Sequence, residues 1–289
     1  MSPATLPSRV LILGLGWSGR VLAQHLQALG VRVAGTVRDP SSAPDDGVLR
    51  HPLHIDAPPS PALLDEIAQA EAVLCSVPPD AEGDPVLRLL LPALRGSPAL
   101  RWVGYLSSTS VYADRAGGWI DDSSRADSTE AAGVQRRRAE AQWRALAEER
   151  GIASALFRLP GLYGPGRNAL LQLAEGRARH VIRPGLMFNR LHVQDLATAV
   201  VAALQRPAAR GLYLPSDDEP APPQDVLAFA AQLGGFVLPP AVAWDDPTLS
   251  PALRRFYASN KRIDSRGTRA ALGWQPQFPT YREGLRALL

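Results

Sequence analysis

The feature that most constrains the fold is a glycine-rich hexapeptide, GLGWSG, which follows a short aliphatic run near the N-terminus. Gly14, Gly16 and Gly19 have the GxGxxG spacing of a dinucleotide-binding loop, and a helical pattern begins directly after them. Gly14 would allow the tight turn, Gly16 the approach of a pyrophosphate, and Gly19 the packing of helix on strand. Trp17 and Ser18 add main-chain donors at the helix N-terminus. The loop predicts dinucleotide binding, and the alternative is a glycine-rich turn that binds nothing.

Short aliphatic runs alternate with helical patterns in the first half of the chain, which is typical of βαβ units and a parallel sheet. The expected strands cover residues 9–13, 31–36, 53–56, 72–76, 102–107 and 153–159. Residues 19–30 have the amphipathic pattern of a crossover helix. We therefore predict an α/β fold, with a Rossmann doubly wound parallel sheet and a smaller C-terminal α/β lobe.

The second half of the chain mixes proline-rich connections with short helical patterns, which indicates a smaller lobe. We predict that residues 1–165 form an NAD(P)-binding Rossmann domain, which also receives residues 190–210. Residues 166–289 would form a substrate-binding lobe.

The end of the second expected strand indicates which dinucleotide binds. An acidic residue there would hold the ribose hydroxyls of NAD, whereas arginine accommodates the 2′-phosphate of NADP. Thr36 and Arg38 occupy this position, and the first acid, Asp39, comes late and precedes a proline. The pattern favours NADP, and NAD stays possible. Arg20 follows the glycine loop at the start of the expected helix. Two interpretations of it stay open: a second phosphate ligand or a solvated residue.

Composition excludes several classes of protein. The formal net charge of this 289-residue chain is +3, and its one tight basic run is 136–138, so no nucleic-acid surface is expected. No apolar stretch approaches the length of a membrane helix, and no export signal is visible. Cys75 lacks a second cysteine for a disulfide or a metal site, which fits a reducing compartment. We expect a cytoplasmic protein without a metal centre.

Four further segments carry a family resemblance. They read WVGYLSSTSVYAD at the fifth strand, RLPGLYGPGRN over 158–168, then FNRLHVQDLATAV and RGLYLPSDDEP. With the glycine loop, this ordered set resembles the extended short-chain dehydrogenase/reductase family, which includes sugar-nucleotide epimerases and dehydratases. The C-terminal SNKRIDSRGTRAALGW and YREGL are similar to a bacterial subgroup of atypical members.

The resemblance implies a set of site residues. The family serine at the end of the fifth strand corresponds to Ser108, with Thr109 as a less favoured choice. The family's YxxxKxxxE pattern on the next helix places Ala132 at the tyrosine and Arg136 at the lysine when Glu140 matches the glutamate. Further cofactor contacts implied by the resemblance are Asp56 at the adenine, Ser76, Val77 and Pro78 along the cofactor, Ser107, Arg136 and Pro160.

Ala132 cannot exchange a proton, so other residues would have to do so. Candidate surrogate acids are Tyr112, Tyr163 and His192, and we take Ser108 and Tyr112 as the predicted catalytic pair. A literal YxxxK spans residues 257–261 and uses Lys261, the single lysine of the chain. It lies far downstream of the fifth strand, so we interpret it as a coincidence.

Together these features predict an NADP(H)-dependent oxidoreductase or epimerase-like enzyme that acts on a polar small molecule. The alternative is a non-catalytic dinucleotide-binding protein, either a redox sensor or a regulatory partner. A binding module that never meets a nucleotide is a third interpretation. By resemblance, a homodimer would form through the two helices that flank the fifth strand.

Overall fold

The centre of the protein is a parallel sheet of seven strands. The computed structural model describes residues 5–42, 44, 46–206, 211–250, 253, 254, 257 and 259–289. The strands of the sheet are β1 (Arg9–Leu13), β2 (Arg32–Val37), β3 (Leu49–Pro52), β4 (Ala72–Cys75), β5 (Trp102–Ser108), β7 (Ala153–Leu159) and β11 (Gly211–Tyr213). Their order across the sheet is β11-β7-β5-β4-β1-β2-β3, which is the doubly wound Rossmann order. The fold class predicted from the sequence is confirmed.

Helices connect these strands and cover both faces of the sheet. The helices are α1 (Trp17–Ala28), α2 (Pro61–Gln69), α3 (Pro85–Gly96), α4 (Ala131–Arg150), α5 (Ala169–Ala174), α6 (Val193–Leu204), α7 (Pro223–Gly234), α8 (Arg266–Leu272) and α9 (Tyr281–Arg286). Helices α1 and α6 bury their apolar sides on one face of the sheet, and α2, α3 and α4 do so on the other. Two apolar cores therefore enclose the sheet, as its aliphatic strands require.

In the described part of the chain, three pairs of short strands lie outside the main sheet. They are β8 (Gly161–Tyr163) with β10 (Arg190–His192), β9 (His180–Ile182) with β12 (Ala241–Ala243), and β6 (Trp119–Ile120) with β13 (Arg262–Ile263). A separate apolar cluster joins α5, α7 and α9. The segment 193–204 packs on α1, and residues 211–213 complete the main sheet. The predicted boundaries at residues 165 and 166 stay a prediction.

One expected strand is misplaced. The sequence pattern predicts a strand over residues 53–56, but β3 occupies Leu49–Pro52. This strand lies at the edge of the sheet and carries Arg50 and His51, so it lacks the aliphatic signal used to find the others. The strand expected over residues 31–36 is displaced by one residue, and β1 and β7 have the predicted bounds. In the described part of the chain, no helix has both the length and the apolar character needed to cross a membrane.

Candidate functional site

The glycine loop lies where the strand order reverses, between the carboxyl ends of β1 and β4. Gly14 has a φ of +88°, and a Cβ atom there would lie 2.7 Å from Cγ2 of Val77. The main-chain nitrogen of Gly14 donates to Oγ1 of Thr36 at 2.8 Å, and its carbonyl accepts from Oγ of Ser76 at 2.5 Å. The neighbouring strands therefore hold the loop in a shape that only glycine adopts without strain.

Space is left at the next glycine of the loop. Gly16 is the N-cap of α1, and a Cβ atom added to it would meet no atom within 4 Å. At Gly19 the same atom would lie 3.1 Å from the carbonyl oxygen of Gly14, so helix and loop pack closely there. The first amide groups of α1 point toward the open side, where an anion is stabilised. This is the geometry that pyrophosphate binding requires.

Trp17 connects the glycine loop to the segment that follows β8. Its indole Nε1 donates to the carbonyl oxygen of Pro165 at 2.8 Å, and the guanidinium of Arg167 lies 5.5 Å from the ring centroid. Ser18 is partly buried in the first turn of the same helix. The predicted dinucleotide loop and the YGPGRN segment therefore border one site.

The residues predicted for the adenosine end have different environments. Arg38 is exposed just beyond β2 and, within the described residues, has no hydrogen bond or ion pair recorded for its side chain. Thr36, predicted beside the ribose, is instead buried, and its hydroxyl faces Gly14, so it shapes the loop. Asp56 is exposed in a turn beyond β3, and Pro78 is exposed beyond β4. Within the described residues, Arg38 is therefore an exposed arginine without a side-chain partner near the expected ribose position.

Two residues predicted for the site belong to a buried polar network. The hydroxyl of Ser107 is buried and donates to Oε1 of Glu140 at 2.6 Å. Arg158 donates to both oxygens of Glu140 and, through Nη1, to the hydroxyl of Tyr112 at 2.9 Å. Burial raises the pKa of Tyr112, whose exposed fraction is 2%. An enclosed hydroxyl bonded to a guanidinium is poorly placed to reach a substrate. Tyr112 was predicted as catalytic, but its surroundings are those of a structural residue.

Ser108 is the last residue of β5 and lies next to the segment that begins at Pro160. Its hydroxyl is partly buried and accepts from the main-chain nitrogen of Ser110 at 3.2 Å. In the sheet, Ser108 is in register with Leu159, so Pro160 follows at the same edge. Ser108, predicted as catalytic, and Pro160, predicted as a cofactor contact, are thus neighbours.

The start of α4 packs directly against this edge. A Cβ atom on Gly133 would lie 2.4 Å from the carbonyl oxygen of Ser110, so the helix approaches the turn closely. Ala132 is exposed, whereas Arg136 is partly buried and donates through Nη1 to the carbonyl oxygen of Leu106 at 2.8 Å. The two positions predicted to correspond to the family's tyrosine and lysine therefore lie beside the end of β5.

A cavity of about 910 Å³ begins at Pro160, directly after β7, and is lined by residues of β8 and of the helices α5, α7 and α9. Its polar lining includes Arg167, Arg177, Arg179 and Arg190. Among the described residues that line it there is no aspartate or glutamate. The cavity therefore begins at Pro160, one of the predicted cofactor contacts, and the charged residues of its described lining are cations.

Comparison with known proteins agrees with the fold. The family model described as the NAD dependent epimerase/dehydratase family matches residues 87–213. A solved structure of a putative NAD-dependent epimerase/dehydratase from Methylobacillus flagellatus is 26% identical, with a TM-score of 0.74, over 97% of each chain. The chain belongs to the NAD dependent epimerase/dehydratase family.

Two further proteins are similar to this chain over almost its whole length. A functionally unknown conserved protein from Silicibacter pomeroyi is 40% identical, with a TM-score of 0.87, over 97% of this chain and 98% of that one. A Streptomyces protein named 3-diazoavenalumate denitrifying reductase is 29% identical over 96% of this chain and 99% of its own length. The resemblance inferred from sequence motifs is confirmed at the level of the family.

Within this epimerase/dehydratase family, the present chain departs from the usual proton-transfer pair. Ala132 offers no hydroxyl, and Arg136 carries a guanidinium that stays protonated at physiological pH. Arg136 also donates to the hydroxyl of Tyr105 at 3.3 Å, and burial raises the pKa of that tyrosine well above its usual value. Neither position can supply or remove a proton.

The surrogate acids inferred from the sequence are also enclosed. Tyr163 is buried, and burial raises its pKa well above the usual value for tyrosine. His192 is 1% exposed, burial lowers its pKa to about 4, and its Nδ1 accepts from the main-chain nitrogen of Gln194 at 3.3 Å. A neutral histidine that caps α6 has a structural role. Tyr163 does line the cavity, so it contributes to the walls of the site.

The tyrosine and the lysine of the literal YxxxK at residues 257–261 lie in different environments. Tyr257 is buried and lines the cavity. The side chain of Lys261 donates to the hydroxyl of Ser259, and burial lowers its pKa to about 8. The lysine is not among the residues lining the cavity, which agrees with its interpretation as a coincidence. Sequence reasoning missed Arg190 and Tyr281 in this cavity, because each reaches it only through the fold.

Proposed function

We propose that this protein is an NADP(H)-dependent oxidoreductase that reduces a small molecule bound in the cavity beside Pro160. The observation that carries this proposal is the open cavity that begins at Pro160, because Pro160 follows Leu159, the register partner of Ser108, at the edge where the resemblance implies the nicotinamide. A protein that only sensed the dinucleotide would not need a large cleft at this point. A hydroxyl at the mouth of such a cleft favours an enzyme.

Reduction suits this site better than epimerisation. An epimerase has to remove and return a proton or hydride at one carbon with a positioned acid or base, and Ala132 and Arg136 supply neither. Hydride transfer from NADPH to an electrophilic carbon depends mainly on how the protein orients cofactor and substrate, since the cofactor carries the chemistry. The proton that completes the reduction would come from water in the open cavity. Ser108 would bind the polar group of the substrate. The name of the Streptomyces relative, a reductase, supports the same choice.

The preference for NADP rests on Arg38. Its exposed guanidinium follows β2 and would pair with a 2′-phosphate, whereas NAD would need an acid in this region. The family name specifies NAD, so the coenzyme has to be measured directly. The purified protein is titrated with NADPH and NADH while nicotinamide fluorescence is followed, first as wild type and then as Arg38→Glu.

A matched control is Arg32→Glu, which makes the same charge change at the opposite end of β2, where the arginine is also exposed. We expect NADPH to bind more tightly than NADH, Arg38→Glu to reverse or abolish this preference, and Arg32→Glu to leave it unchanged. If neither dinucleotide binds at millimolar concentration, the proposal fails. If NADPH and NADH bind with equal affinity and Arg38→Glu changes neither affinity, only the preference for NADP is rejected.

A non-catalytic redox sensor is the second candidate, and the replacement of the tyrosine and lysine by Ala132 and Arg136 favours it. A sensor would bind NADPH without consuming it. Incubation with NADPH and a panel of electrophilic carbonyl and diazo compounds, followed by nicotinamide absorbance, separates the two candidates. The cytoplasmic location and the homodimer predicted from the sequence stay predictions.

A further inference from the structure

The guanidinium of Arg190 is fixed by uncharged groups. Nη1 donates to the carbonyl oxygens of Phe188 at 3.0 Å and Ala221 at 2.9 Å. The rings of Phe188 and Tyr281 lie 5.4 Å and 5.9 Å from the guanidinium carbon. No ion pair is recorded for this arginine with any carboxylate of the described residues. The side chain is therefore oriented but its charge is not neutralised by contact.

The acid that most influences the pKa of Arg190 is Asp217, which does not line the cavity. Asp217 is 2% exposed, and among the described residues its carboxylate forms neither a hydrogen bond nor an ion pair with the guanidinium of Arg190. Burial raises the pKa of Asp217 well above its usual value, which favours the uncharged acid. Burial also lowers the pKa of Arg190, as expected for a cation that lacks a contacting counterion. An anion that enters the cavity would supply that counterion.

The other three arginines of the cavity differ from Arg190. Arg167, Arg177 and Arg179 are exposed, whereas Arg190 is partly buried. Arg177 is already paired with Glu175, and Arg167 lies over the ring of Trp17. Solvent screens exposed charges strongly, so the partly buried guanidinium is the one that gains most from an anionic partner.

The walls around Arg190 are apolar and aromatic. They are formed by Leu162, Phe188, Val226, Leu227 and Leu285, together with Tyr163, Tyr257 and Tyr281. Among the described lining residues, Arg190 is the one arginine that is partly buried, since Arg167, Arg177 and Arg179 are exposed. It suits a ligand with a planar anionic group on an apolar body, because a carboxylate matches the guanidinium fork through two parallel hydrogen bonds. A diphosphate would also be attracted by the exposed arginines, so inorganic pyrophosphate is the competing probe in the test.

We infer that the substrate is an organic carboxylate with an aromatic or conjugated body, and that Arg190 is the residue that selects it. This inference rests on the proposed reductase function and names the substrate class of the same site. Arg190 begins β10 and is in register with Gly161 of β8, one residue after Pro160. A carboxylate held there would fix the distance between the reducible part of the substrate and the nicotinamide.

The test measures ligand binding by calorimetry on the full-length protein, with and without saturating NADPH. The probes are benzoate and cinnamate, the corresponding uncharged amides, and inorganic pyrophosphate. We expect the carboxylates to bind wild-type protein and the amides to bind at least tenfold more weakly, because a charge-assisted hydrogen bond is lost. This comparison needs no variant, so it stands even if a substitution at Arg190 impairs folding.

Variants then locate the effect. Arg190→Met should weaken carboxylate binding at least tenfold, and Arg190→Lys should retain part of it. Arg95→Met is the matched control, since it removes an arginine that is exposed, paired with Glu149 and not part of the cavity lining; it should change affinity less than twofold. NADPH affinity should be the same in all three variants.

Three outcomes would overturn the inference: carboxylates that do not bind, carboxylates that bind wild type and Arg190→Met equally, or pyrophosphate that binds in their place with the same dependence on Arg190. If wild-type protein does not bind NADPH, the proposed function is rejected instead. Carboxylate binding without NADPH would still report on Arg190, so the two failures are distinguishable.

Discussion

The carboxylate of Glu140 accepts two hydrogen bonds from the guanidinium of Arg158 in the protein interior, from Nε at 2.9 Å and from Nη2 at 2.7 Å. Ser107 donates to the same carboxylate, and Arg158 also donates to Tyr112. The pair thereby connects α4 and β7 to the end of β5, which carries Ser108. A buried pair of this kind positions the edge of the site.

We predict that Glu140→Gln destabilises the protein by about 3–5 kcal/mol, because the substitution leaves the buried charge of Arg158 without its partner. The free energy of unfolding, measured in urea, checks this value. Glu149→Gln is the control: its pair with Arg95 is half exposed on both sides, so the loss should be below about 1 kcal/mol. If both variants lose the same free energy of unfolding, the buried pair contributes no more to stability than the exposed pair, and the prediction is wrong.

The buried imidazole of His192 should make the fold sensitive to acid. Its folded-state pKa is about 4, below the ordinary value of 6.5. As the pH falls below 6.5, the unfolded chain takes up a proton that the folded chain does not, so stability is lost down to about pH 4. The loss is at most about 3 kcal/mol, from the free energy equivalent to the difference between these pKa values.

Urea unfolding of wild type and His192→Asn at neutral pH and near pH 4 tests this expectation. Asparagine keeps a side-chain acceptor at the N-cap of α6 but does not titrate. The stability of wild type should fall further on acidification than that of the variant. The difference between the stability losses of wild type and His192→Asn removes the contribution of the other titrating groups. The control is His54→Asn, at an exposed position, which should behave as wild type. Parallel pH profiles for His192→Asn and wild type would contradict the assignment.

The features predicted well from the sequence are those set by local pattern. The aliphatic runs of β1 and β7 are sufficient to bound these strands, and the spacing of Gly14, Gly16 and Gly19 identifies the loop at the switch point. These signals lie within a few residues of one another. They depend on backbone geometry, which neighbouring residues largely determine.

The partners of buried polar side chains could not be predicted in this way. Thr36 and Ser107 were expected beside the cofactor, yet their hydroxyls face Gly14 and Glu140. The orientation of a hydroxyl depends on which distant segment packs against its strand. Arg190 is a similar case, because its environment is made by Ala221 and Tyr281 from separate parts of the chain. No spacing in the sequence reports such contacts.

The two glycines of the loop should respond differently to alanine. An added methyl group at Gly14 would meet Val77 at 2.7 Å in a backbone conformation with positive φ, so Gly14→Ala should lower stability by more than 1 kcal/mol. At Gly16 the φ is −79° and the space is empty, so Gly16→Ala should change stability by no more than about 0.5 kcal/mol.

Gly16→Ala should nevertheless reduce NADPH affinity at least tenfold, because the methyl group would occupy the space through which the pyrophosphate approaches the main chain. Urea unfolding and NADPH titration of each variant separate the two effects. Gly96→Ala, a glycine at the end of α3 with equally open surroundings, is the control and should alter neither property. A Gly16→Ala variant that folds normally and binds NADPH as wild type does would place the pyrophosphate elsewhere, and the loop would then serve only the packing of α1 on the sheet.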